Sequence, residues 1–344
     1  METPSPADTF DESSLCRWLE QHVARFCGPM ALKKYSAGQS NPTYCLEAAS
    51  GIYVLRRQPF GELLPTAHAI DREFRILSAL YPLGFPVPRP LALCQERAII
   101  GSMFYVMERV SGRVEWDGGL PNFTPSERRA AYESMIDTLA ALHTIDLTLA
   151  GLEDFGRPGN YFARQTSRWI KQYRAAETER IGAMERLIEW LQRDTPPQTR
   201  DAIVHGDFRI DNLIFEADEP RVGAVLDWEL CTLGDPLADF SYFALNWVAQ
   251  TNGRASLAGL NLEVLGIPSL KETIERYCDR TGRESLPSLN WYFGQNLFRM
   301  ASIIQGIKRR ALDGNASNSQ ALEIASRVSS LAEAGWAFAE KAGA

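Results

Sequence analysis

Between Val204 and Asp227 the chain runs VHGDFRIDNLIF, a short acidic turn, and then AVLDWE. Two short apolar runs, Ala202–Val204 and Val222–Leu226, each lead within a few residues to a carboxylate, Asp207 and Asp227, and Asn212 stands five residues beyond Asp207. Apolar runs this short, bounded by turn formers, read as buried strands. Two carboxylates and an amide at the lips of such strands can converge on one point from a rigid base. A single Asp after an apolar run is commonly a turn or cap residue; three polar groups in this register point instead to chemistry. Phosphoryl transfer needs such a set, because its loose transition state asks the protein mainly to position a nucleophile and neutralise charge.

Composition narrows the class. The 344 residues exceed one ordinary domain, and 45% hydrophobic content is enough for a large core. A net charge of −7 argues against nucleic acid as the main partner. No apolar run approaches a membrane span, no charged-then-apolar signal opens the chain, and METPSPADTFDESS reads as a short disordered leader. Six scattered cysteines without C-x-x-C pairs imply neither a disulfide framework nor a zinc site, and fit a cytoplasmic protein.

The spacing His205-Gly206-Asp207…Asn212, followed by Asp227-Trp228-Glu229, resembles the protein-kinase catalytic loop H-R-D-x-x-x-x-N and its later metal-binding Asp. The H-G-D and D-W-E variants resemble the aminoglycoside phosphotransferase and choline-kinase-like branch, whose acceptors are small molecules. The resemblance implies an α+β, two-lobed kinase-like fold, with a small antiparallel-sheet N-lobe and a larger, mainly helical C-lobe. It also implies ATP and Mg²⁺ as cofactors. By the same resemblance Asp207 is the base that orients the acceptor hydroxyl, Asn212 and Asp227 hold the metal, and Arg209 lies near the transferred phosphoryl group. Gly234-Asp235-Pro236-Leu237-Ala238-Asp239 matches the family's G-D-P-x-x-D segment, implying that Asp239 braces the catalytic loop. His143 reads as a helix-end packing residue, and His205 as an organiser of the catalytic loop rather than a base.

Ahead of this core, residues 1–27 read as a leader and an amphipathic helix from Ser13 to Cys27, capped by Ser13 or Ser14. Strand-like segments follow at Ala31–Tyr35, Thr43–Ala48 and Ile52–Arg56, with the turn-rich SAGQSNPTY between the first two. In the family this loop covers the nucleotide phosphates, which makes Ser40 and Asn41 candidate cofactor contacts; Ala37 stands where the family has its first Gly. The family lysine is absent. Val54 and Arg56 occupy the strand face of the Ala-x-Lys pair, so Arg56 is the candidate cation for the α- and β-phosphates. Glu73, seventeen residues on, stands where a kinase places the acid that pairs with this cation. Phe104–Val110 resembles the last small-lobe strand and hinge, with the backbone at Glu108 and Val110 facing adenine. The expected boundaries are thus 28–110 for the N-lobe and 111–344 for the C-lobe.

Residues 156–194 separate the first large-lobe helix from the catalytic loop, and the resemblance implies inserted helices here that help form the acceptor pocket. From Arg157 to Arg193 eight basic residues oppose four acids, a local surplus inside an acidic chain. That charge fits an anionic acceptor better than a polycationic aminoglycoside. YVLRRQP, NYFARQTSRWIKQY, LDWELCTLGDPLADF and the late GIKRRALDGNAS together resemble the kinase-like domain associated with acyl-CoA dehydrogenases. That group implies phosphorylation of a hydroxyacyl-CoA of the 4-hydroxyacyl type, with any dehydrogenase supplied by a separate chain. Two alternatives stay open: an aminoglycoside or amino-alcohol kinase, and a catalytically silent nucleotide- or acyl-CoA-binding regulator, which the missing lysine would favour.

Overall fold

The structure is a computed structural model that describes residues 10–35, 41–60, 69–250, 253–314 and 324–344. Most of the expected leader, the phosphate-loop residue Ser40 and the end of GIKRRALDGNAS lie outside the described residues. The chain forms two compact units. The first holds the described residues up to Val114, with Thr148–Leu152 and Asn212–Cys231; the second holds Glu115–Leu147, Glu153–Asp211 and Thr232–Ala344.

In the first unit five antiparallel strands, β1 (Met30–Lys34), β2 (Thr43–Ala48), β3 (Gly51–Arg57), β4 (Pro90–Cys94) and β5 (Phe104–Glu108), pair in the order β1-β2-β3-β5-β4. Leu46, Leu55, Phe104 and Val106 send their side chains to one face, where they pack on Leu15, Trp18 and Leu19 of helix α1 (Glu12–His22). The cap of α1 differs from expectation. Asp11 accepts from the N–H groups of Ser13 and Ser14 at 2.9 and 3.2 Å, so neither serine is the cap residue. The helix also stops at His22, not Cys27, because Val23 is extended and Arg25 has φ +66°, yet Val23 and Phe26 stay buried.

Helix α2 (Ile70–Leu80) buries Ile70, Glu73, Ile76, Leu77 and Leu80. The short helix α3 (Arg97–Ile100) adds Ile100 to the core beneath α1. A second, three-stranded sheet joins β6 (Arg113–Val114), β8 (Leu213–Phe215) and β9 (Val222–Val225). Gly112, at φ +154°, runs against β8: a Cβ there would lie 2.2 Å from the Phe215 carbonyl, so close backbone approach requires the glycine.

The second unit is mainly helical. Helix α4 (Pro125–Thr144) opens on a capping box between Thr124 and Glu127 and buries Met135, Leu139 and Leu142. The expected insert is the helix pair α5 (Tyr161–Ala176) and α6 (Gly182–Arg193). Strand β7 (Ala202–Val204) pairs with β10 (Thr232–Gly234), and α7 (Leu237–Ala244) follows. After the one-turn α8 (Leu262–Leu265), α9 (Leu270–Thr281) lies along α4, where Arg276 pairs with Asp137 at 2.7 Å. Both insert helices pack on the long helix α10 (Asn290–Leu312) through Phe162 and Trp190 against Trp291, and Tyr173 against Phe298. All six cysteines are free thiols. No helix among the described residues is long and apolar enough to cross a membrane.

Candidate active site

In the first unit the strand period of two decides which arginine is available. Arg57 turns into the core, where it meets the Tyr44 hydroxyl and lies 3.9 Å from the Phe60 ring centroid. Arg56 turns to the opposite face and ion-pairs with Glu73 at 2.9 Å, Asp227 at 2.9 Å and Glu229 at 3.4 Å. Glu73, only 2% exposed, is further held by Tyr105, whose hydroxyl donates at 3.1 Å, and by the Asn41 amide at 2.8 Å. Burial opposes the Arg56 charge, but Glu73, Tyr105, Asp227 and Glu229 outweigh it, and the guanidinium stays protonated. Burial likewise pushes the Glu73 carboxyl up, to about 7, against the pull of Arg56.

This pair makes a stability prediction. Arg56→Ala leaves a buried carboxyl without its cation, which destabilises the fold by about 3–5 kcal/mol, and Glu73→Gln in the same chain restores part of the loss. Glu73 titrates higher folded than unfolded, so its contribution to stability is largest below the unfolded value and is lost as pH rises towards 7. Without Arg56 the loss with rising pH is steeper and extends further up, as denaturant midpoints measured from about pH 5 to pH 8 would record.

Asp227 has φ +64° and ψ +64°, a strained conformation for a non-glycine residue of the kind that persists where surrounding contacts enforce it. Here Trp228 enforces it: the buried indole N–H donates to the Val225 carbonyl at 2.9 Å, and the ring meets Phe85 edge-on. Asn212 enters the same unit beside it, its carbonyl accepting from Leu226 N–H at 2.8 Å. Asp227 and the Asn212 side chain both carry hard oxygen donors of the kind Mg²⁺ takes. Glu108 pairs with Arg89 at 3.3 Å through its side chain, and its N–H is committed to the Arg89 carbonyl at 2.9 Å. Val110 follows the strand, half-buried.

In the second unit the loop after β7 carries Asp207. Asp239, at the start of α7, accepts from the N–H groups of His205 at 2.6 Å and Gly206 at 2.8 Å, with Gly206 at φ +87° making the turn. His143 backs Asp239 through Nε2 at 3.4 Å, and its Nδ1 meets the Tyr277 hydroxyl at 2.7 Å. Burial pulls His143 below its ordinary range, leaving it neutral. The Asp239 carboxyl is held low despite its burial, by His143, His205 and the Gly206 N–H. His205 is fully buried, and its Nδ1 accepts from Asp207 N–H at 3.2 Å. His205 thus bonds within the loop, while His143, expected only to pack at a helix end, also backs Asp239; Asp207 is the side chain the loop presents.

Arg209 sits 3.9 Å from Asp207 and is gripped by Asp211 through Nε at 2.6 Å and through a second, shorter contact. Burial disfavours the Arg209 charge, but Asp211 and Asp207 keep it protonated. Arg299 of α10 donates to the Gly206 carbonyl at 2.6 Å and stacks over Tyr242 and Trp169. A polar cavity of about 350 Å³ opens beside Arg209 and Asp211, walled by Trp116, Arg254 and Ala255. Glu229, Tyr105, Asp211, Arg299, Trp116 and Arg254 escape sequence reading. The first and third adjoin motif residues and could have been flagged; the others come from elements without motif spacing.

An antiparallel sheet with a buried Glu–Arg pair, and an H-G-D loop braced by a buried Asp, define a kinase-like phosphotransferase. The family model described as "Phosphotransferase enzyme family", APH, matches residues 31–272, and the chain belongs to that family. It is an enzyme of the small-molecule kinase class. The chain is 46% identical over 318 residues to "Acyl-CoA dehydrogenase family member 10" of Mus musculus, covering 92% of this chain and 30% of that protein. The chain thus spans under a third of that relative's length. It is also similar to a solved structure from Ralstonia eutropha JMP134, provisionally called an aminoglycoside phosphotransferase. That match has TM-score 0.88 and 45% identity, and covers 97% of this chain and 99% of that one. A spectinomycin phosphotransferase, APH(9)-Ia, solved with ADP and spectinomycin, shares the fold with TM-score 0.60 at 13% identity, covering 94% of this chain and 98% of that one.

Proposed function

We propose that this chain transfers the γ-phosphoryl group of ATP, with Mg²⁺, to the hydroxyl of a hydroxyacyl-CoA. In this reading Asp207 accepts the proton of the attacking hydroxyl, and Arg209, held charged by Asp211, faces the transferred group. Asn212 and Asp227 would hold Mg²⁺, which when bound neutralises charge on the phosphate oxygens. Arg56, anchored by Glu73, supplies the α- and β-phosphate cation; Ser40 and Asn41 belong to the loop over the phosphates; Glu108 and Val110 offer backbone groups to adenine. With Glu108 N–H already engaged, its contribution is the carbonyl.

The observation that carries the acceptor assignment is helix α5. It holds four basic residues and no acid, on a chain of net charge −7, and such a helix favours an anionic acceptor over a polycation. The likeness to an acyl-CoA dehydrogenase family protein supports the same class, with an acyl-CoA dehydrogenase as a partner in the wider reaction sequence. A cytoplasmic setting fits six free thiols. A second reading, an amino-sugar or amino-alcohol acceptor, draws on the provisional description of the Ralstonia structure.

ATP consumption with Mg²⁺ over 3-, 4- and 5-hydroxyacyl-CoA, a free hydroxy acid, choline and kanamycin tests these readings. The expected result is turnover on a hydroxyacyl-CoA alone. Turnover on kanamycin or choline replaces the acceptor class, while ATP binding without turnover on any acceptor favours a silent regulator.

A further inference from the structure

We infer that the exposed face of α5 is the docking site for the phosphate-bearing end of the CoA acceptor, through Arg164, Arg168 and Lys171. This inference rests on the acyl-CoA reading above and assigns it residues.

The three side chains recur at i, i+4 and i+7, so they share one helical face and span about 10 Å along the axis. With Ala163, Ser167 and Gln172 they form one open, outward-facing surface of the helix. Their charge is uncompensated. Of the four basic residues of α5, Arg174 is tied to Glu177 and Glu185. Arg164 donates to the carbonyls of Arg157 and Pro158, which leave its charge unbalanced. Arg168 and Lys171 are exposed and have no carboxylate partner among the described residues.

The acids of the insert are largely spent elsewhere: Glu179 pairs with Lys308, and Glu185 is held low by Arg174. Three of the insert's eight basic residues, Arg164, Arg168 and Lys171, thus keep an unbalanced charge on this one face. Arg193 pairs with Asp194, and Arg186 with Glu333.

This face is also tied to the catalytic loop. Arg168 lies 5.5 Å from the Trp169 ring centroid, and Arg299 lies 5.5 Å from the same ring. Arg299 in turn donates to the Gly206 carbonyl, next to Asp207. The Trp169 indole and the Arg299 guanidinium thus link the basic face to the loop that presents Asp207. A CoA thioester needs this arrangement, because its reacting hydroxyl and its three phosphates sit at opposite ends of a long flexible arm. Cations spaced along a helix suit the pyrophosphate and the 3′-phosphate together, whereas a free hydroxy acid leaves them unused.

The test is calorimetric titration of the full chain with CoA itself, which has no acyl hydroxyl, comparing wild type with Arg168→Gln/Lys171→Gln. Arg164 is left intact because it holds two backbone carbonyls. The expected result is CoA binding in wild type, weakened about tenfold in the double variant. Dephospho-CoA should show a smaller difference between the two proteins, and the ATP KM should be unchanged. Salt should weaken wild-type binding more steeply than that of the variant. Equal CoA binding by both proteins, or none by wild type, overturns the assignment. Failure of the acyl-CoA reading is recorded separately, as absence of turnover on every hydroxyacyl-CoA by wild type.

Discussion

Asp207→Asn lowers kcat by about 100- to 10,000-fold, the range associated with removing a positioned general base, while ATP binding persists. The substitution keeps the shape of the loop. Its anchors are the backbone bonds to Asp239 and the Asp207 N–H to His205, none of which uses the Asp207 carboxylate. The loss therefore reports proton acceptance and orientation rather than collapse of the turn. Asp207 is 25% exposed, and Arg209 is 3.9 Å away. The amide introduced by the substitution would still hydrogen-bond but could not take a proton. A folded variant that keeps more than about a tenth of wild-type kcat rejects Asp207 as the base.

Asp227→Ala removes metal-dependent turnover, with kcat/KM for ATP falling about 1,000-fold, as expected when several kcal/mol of charge stabilisation is lost. Arg56 keeps Glu73 and Glu229 as partners, so the sheet face does not lose its cation. Alanine in a left-handed conformation adds a strain of about 1–2 kcal/mol, which Asp227→Asn avoids because asparagine tolerates that region. The Asn variant should therefore match wild type in thermal stability yet need far more Mg²⁺ to reach half-maximal rate. Near-normal activity in the Ala variant, or an unchanged Mg²⁺ requirement in the Asn variant, removes Asp227 from the metal site.

Much of the catalytic machinery is legible in the chain because it is local. His205, Asp207 and Asn212 lie within eight consecutive residues, and the apolar runs that carry them end at predictable turns. The alternation that turns Arg56 towards Glu73 and Arg57 into the core follows from the strand period. The helical insert is expected from the family resemblance, and its basic surplus from a count of charges. The start of α1 is less legible although it too is local: Asp11 out-competes Ser13 as the cap, since its carboxylate accepts from two N–H groups at once.

The sequence by itself determined the phosphotransferase class, the strand-ended catalytic loop and the charge of the insert. All three are written in neighbouring residues whose spacing obeys backbone periodicity. Tertiary structure alone decided the partners. It brought Asp227 to Arg56 across 171 residues, His143 to Asp239 across 96, and Arg299 to the Gly206 carbonyl across 93. It also tied Arg174, Arg186 and Arg193 into ion pairs and left Arg164, Arg168 and Lys171 on one face of α5. Such pairings depend on how apolar faces pack and on which buried charges find a counter-charge, and neither is a property of any short stretch of chain.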